Sequence, residues 1–66
     1  MNIEDAQEIR QSRLWEMVKA ELGERIFQLQ QTLMTVSPEE LVRVQAKLRT
    51  LMEIQRLPED IIERES

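Results

Sequence analysis

The sequence predicts an all-α protein, an antiparallel two-helix hairpin with one helix over about residues 3–34 and a second over about 38–56. Three observations predict it. Apolar residues recur at spacings of three and four in both segments. A helix-start signal, Ser37-Pro38-Glu39-Glu40-Leu41, lies between them. The chain has one Gly and two Pro in 66 residues, with one Trp, one Phe and no Tyr, which suits continuous helix and disfavours a β-sandwich or barrel.

In the first helix, Asn2 is placed to cap the N-terminus and Asp5 to reach back to its free amides. Trp15, Val18, Leu22, Ile26, Leu29 and Leu33 then fall within roughly 40° of one direction at about 100° per residue, forming a core-facing stripe. At the turn, Ser37 is expected to cap the amide of Glu40. Glu40 returns to the amide of Ser37, and Pro38 sits where its missing N–H costs nothing. Leu41, Val44, Leu48 and Leu51 carry the matching stripe on the second helix, which ends at Leu57-Pro58. Pro58-Glu59-Asp60 starts a possible short turn over 59–64, and residues 59–66 read as an acidic tail prone to fraying. Residues 1–66 form a single domain.

Pairing outward from the turn sets Leu33 by Leu41, Leu29 by Val44, Ile26 by Leu48 and Leu22 by Leu51. Gln55 stands where a Leu is expected. It either reaches water from the last turn or pairs across the helices to fix their register. Gly23, beside the stripe, either permits close approach or is merely tolerated.

The predicted helices differ in length, roughly 48 Å against roughly 29 Å at 1.5 Å per residue. Residues 3–14 therefore overhang, and need another chain, or the 59–65 turn folded back, to stay helical. A hairpin of this size also buries little surface, so it is expected to complete a coiled-coil-like bundle by oligomerisation or by docking on a partner.

A second apolar line, Ile9, Ala20, Phe27 and Met34, with Met17 further round, lies about 120–160° from the core stripe. It is either scattered surface or a partner interface anchored by Phe27.

The chain has no Cys and no His, which excludes disulfides, thiolate chemistry and the usual zinc sites. No nucleophile with a base and no phosphate loop is present, so the expectation is a non-enzymatic protein with no catalytic, cofactor or metal residues and no small-molecule substrate. Net charge is −4, with acidic ends and a basic stretch of the second helix, residues 41–57, carrying Arg43, Lys47, Arg49 and Arg56 against Glu53. Those cations split between two flanks, expected to be solvated and partly matched by Glu16, Glu21 and Glu24. Nucleic acid is thus an improbable partner. The acidic N-terminus and short apolar runs suggest no secretion signal or membrane span, hence a cytoplasmic location.

The arrangement Trp15…Leu22…Arg25-Ile26…Leu29…Leu33, then Ser37 to Leu41, then Gln45…Leu48…Leu51, resembles small helical-hairpin proteins of tailed-phage structural and morphogenesis modules. The resemblance implies a structural or assembly protein, associated with a virion if phage-encoded, that self-associates or docks on a larger component through its first helix. The architecture also looks like dimeric RNA-binding hairpin regulators, from which the charge layout and long first helix depart. A third reading is a small protein inhibitor that lays its second apolar face on a host enzyme.

Overall fold

The chain forms four helices, α1 (Ile3–Arg10), α2 (Arg13–Thr32), α3 (Pro38–Gln55) and α4 (Leu57–Glu65), in a computed structural model that describes residues 2–66. The predicted first helix is thus broken at Gln11-Ser12, while the second ends where the sequence placed its end and is followed by a further helix. α2 pairs with α3, and α1 with α4.

The break is made by Ser12. Its hydroxyl accepts the amides of Leu14 at 3.1 Å and Trp15 at 3.3 Å, capping a new helix where the periodicity had suggested a continuous one. The Ser12 amide bonds back to the Ile9 carbonyl at 2.9 Å, closing α1 in a tight last turn. At its start, α1 is capped as the sequence indicates, with Asn2 Oδ1 accepting the Asp5 amide at 2.8 Å. α3 ends at Gln55, as Leu57-Pro58 indicated, and Arg56 alone separates it from α4. Proline occupies the first turn of α4, where it displaces no helical hydrogen bond.

The break at Ser12 and the helix over Leu57–Glu65 correct the expected architecture. Cut at Ser12, α2 is 20 residues long and α3 is 18, about 30 Å and 27 Å, so the two match in length. The 3–14 overhang becomes α1 plus a connection, and the 59–66 segment is helical to Glu65. α4 folds back on α1 within the same chain, so the architecture is neither a two-helix hairpin nor a coiled coil, and needs no second chain to complete it. The hydrophobic logic of the new pair is local. Ile3, Ala6 and Ile9 recur every three residues on α1. Ala6 is wholly buried, Ile61 is 4% exposed, and Pro58 is buried. A small residue at Ala6 lets the two short helices approach closely.

Along the longer seam, Leu22, Ile26 and Val44 are buried, and Leu29, Leu33, Leu48 and Leu51 are half-buried. Fully burying a side chain of this size stabilises by about 1.5–3 kcal/mol, so these few residues carry most of the seam. Val18 and Leu41, expected in this core, lie at its margins, 47% and 36% exposed, and Trp15 is half-buried.

The turn differs in detail. Ser37 precedes α3, but its side chain makes no cap bond, so the predicted capping box does not form. Its main-chain carbonyl instead accepts the amides of Glu40 at 3.0 Å and Leu41 at 3.1 Å, leaving the Glu40 amide already satisfied.

The molecule spans 43 × 23 × 12 Å, with a radius of gyration of 14.3 Å against about 11 Å for a compact globule of this length. Its accessible surface, 5364 Å², exceeds by about a fifth the roughly 4400 Å² usual for its mass. It is a plank, little more than one layer of helices thick. Among the described residues, no helix is long and apolar enough to cross a membrane.

Candidate protein-interaction surface

A plank has two broad faces, and one of them carries a groove. The groove, about 800 Å³ and open along its length, lies between α2 and α3 and is lined by Arg25, Leu29 and Thr32 from α2 and by Arg43, Lys47 and Leu51 from α3, among others. Leu29 and Leu51 form its floor because these stripe residues are only half-buried between the helices. The cations rise on its rims because they lie further round. None of its lining residues is acidic, although the chain carries 13 carboxylate side chains.

The charge on these rims is unmatched. Ion pairs among the described residues join Lys19 to Glu59 at 3.9 Å, Arg56 to Asp60 at 3.6 Å and Arg64 to Glu65 at 3.7 Å. Arg25, Arg43 and Lys47 take part in none of them. Glu16, Glu21 and Glu24, expected to match part of this charge, form no ion pair with it among the described residues. Glu16 and Glu24 lie on the outer edge of α2, and Glu21 borders an adjoining hollow with Arg25. Arg49 and Arg56 line a separate hollow of about 520 Å³ on the opposite side, as the split between flanks indicated.

Arg25 also borders a smaller hollow of about 290 Å³ with Met17, Val18 and Glu21, which extends the groove toward the start of α2. Leu14, four residues before Val18, and Ile54, seven after Lys47, fall on the same face by helical spacing. Leu14 is 74% exposed, Met17 65% and Ile54 40%. The face is thus mostly apolar at one end, where Glu21 is the one acid lining the hollow, and cationic at the other.

The predicted second apolar line is divided. Ala20 and Phe27 are exposed on the outer edge of α2, Phe27 by 60%, and Met34, in the turn just past its end, is 79% exposed. Met17 belongs to the extended groove. Ile9 is half-buried on α1, which pairs with α4, because the break at Ser12 resets the helical phase. Arg25 carried no signal of its own in the sequence. Its role emerges only when the pairing sets it across from Arg43 and Lys47.

Two further side chains meet between the helices. Gln55 Nε2 donates to the main-chain carbonyl of Lys19 at 3.3 Å, and a Cβ at Gly23 would stand 3.4 Å from that nitrogen. Of the two readings of Gln55, pairing across the helices is the one the structure shows. No group of three acidic side chains that could hold a metal ion occurs among the described residues. No protein-family profile, curated protein or solved structure matches this chain.

Proposed function

We propose that the chain is a non-enzymatic interaction protein, a structural or assembly component, which takes a protein segment into the α2–α3 groove. The observation that carries this reading is the composition of that groove. It has an apolar floor, three unpaired cations on its rims and no carboxylate, in a chain of net charge −4. Local charge opposite to the global charge favours a specific docking surface over general solvation. The surplus surface, roughly 960 Å², is of the order that each partner contributes to a standard interface, about 800 Å².

Nucleic acid fits less well. Three phosphate contacts would lose about 40-fold in affinity between 50 and 200 mM salt, and no aromatic side chain lines the groove to stack a base.

A photo-crosslinking amino acid at Thr50, which lines the groove, tests the reading in the cells that make the protein. The expected product is a discrete protein adduct, reduced at least fivefold by the double substitution Arg43→Glu and Lys47→Glu. A nuclease-sensitive adduct, or no adduct, overturns it.

A further inference from the structure

We infer that the occupant of the groove is the outer edge of α2 from a second copy of this chain, so that folded monomers associate head to tail. This rests on the interaction reading above and gives it a partner. Association here joins chains that are each already folded.

The groove calls for a helix edge with an apolar anchor and flanking acids. Such an edge exists on the same molecule. Glu16, Ala20, Glu24, Phe27 and Gln31 follow one another at spacings of four, four, three and four, so they form one line along α2, with Met34 in the turn just past its end, and all six are exposed. Their direction is away from α3, which leaves the edge free while the groove of the same molecule is also free. Phe27 supplies the apolar anchor for the floor between Leu29 and Leu51. Glu16 and Glu24, engaged in no ion pair among the described residues, supply charge opposite to Arg25, Arg43 and Lys47.

A symmetric contact of groove on groove fits worse, because a two-fold axis through the groove would set its cations against their own copies. The two complementary surfaces lie on different parts of the chain. The contact is therefore heterologous, and repeats into a ring or an open filament.

The test uses the full chain in light scattering and sedimentation over a concentration series at 50 mM salt. The wild type is expected to grow past the mass of a dimer with rising concentration, and to lose at least tenfold in association at 500 mM salt. Phe27→Asp blocks the edge and keeps the groove. Arg43→Glu with Lys47→Glu blocks the groove and keeps the edge. Each is expected to be monomeric alone, and an equimolar mixture to form a dimer that grows no further. Circular dichroism checks that both are helical; if either is unfolded, Phe27→Gln and Lys47→Ala take their places. A wild type that stays monomeric into the millimolar range overturns the inference. So does a dimer that survives both blocks, or a mixture that does not associate. A groove adduct from Thr50 with a different protein also overturns it, while the interaction reading stands.

Discussion

The Gln55 side-chain amide donates to the Lys19 main-chain carbonyl at 3.3 Å, tying the last residue of α3 to the first half of α2. Helical carbonyls are shielded by the side chain four residues on, since each Cβ tilts toward the helix N-terminus. Residue 23 is that position for Lys19, and it is the chain's one glycine. A side chain longer than alanine's at this position would cover the carbonyl that Gln55 reaches. Replacing Gln55 with Ala is expected to cost about 1 kcal/mol, the usual net worth of such a bond. Urea unfolding of the two proteins measures it.

Gly23→Ala is expected to stabilise. The new Cβ would meet Gln55 Nε2 at 3.4 Å, an ordinary contact, while alanine gains up to about 1 kcal/mol of helix propensity. A rise in Tm of about 4–8 °C per kcal/mol is the readout. Gly23→Leu should reverse the sign, because the larger side chain occupies the space of the Gln55 amide. A Gly23→Ala protein that melts below the wild type would show that the approach is closer than the geometry allows.

Two serines precede helices, and only one uses its hydroxyl. Ser12→Ala should cost about 1 kcal/mol, within the ~0.5–2 range for a lost N-cap. Ser37→Ala should change stability by only a few tenths of a kcal/mol, because the Glu40 amide is already held by the Ser37 carbonyl. Equal losses at the two sites would contradict the difference in their bonding.

Ala6 is wholly buried on α1, the helix that packs on α4. Ala6→Leu has nowhere to place three more carbons and is expected to destabilise by about 1–3 kcal/mol. Limited proteolysis locates the damage. Cleavage within residues 3–12 should accelerate, while α2 and α3 stay protected, since their buried Leu22, Ile26 and Val44 lie in the other seam.

Much of the longer seam was legible in the sequence. Leu22, Ile26 and Val44 repeat at helical spacing, and Ser37-Pro38 marks where the chain reverses, so register follows by counting outward. Pro58 also announced the end of α3. Ser12 did not announce the start of α2, because in a polar segment a capping serine looks like any exposed serine. That one omission made α1 an overhang, and of the two ways offered to keep it helical, the folding back of residues 59–65 is the one the structure shows. It also misdirected Ile9, since a helical wheel drawn through a break assigns the wrong face to everything beyond it. The groove was half legible. Arg43 and Lys47 fall on one flank of their helix by simple spacing, but Arg25 joins them only through the pairing of two helices, which one-dimensional periodicity does not contain.

The plank shape has a consequence for how the protein answers heat and denaturant. Both act through surface newly exposed on unfolding, and a molecule already exposing about a fifth more than usual has less left to reveal. Its urea slope should therefore fall at or below the ~1 kcal/mol/M end of the range for small proteins, and its heat-capacity change below the ~12–15 cal/mol/K per residue of compact domains. Its stability curve is then broad and shallow, and the molecule loses structure gradually across temperature where a thicker domain of the same mass would melt within a narrow interval.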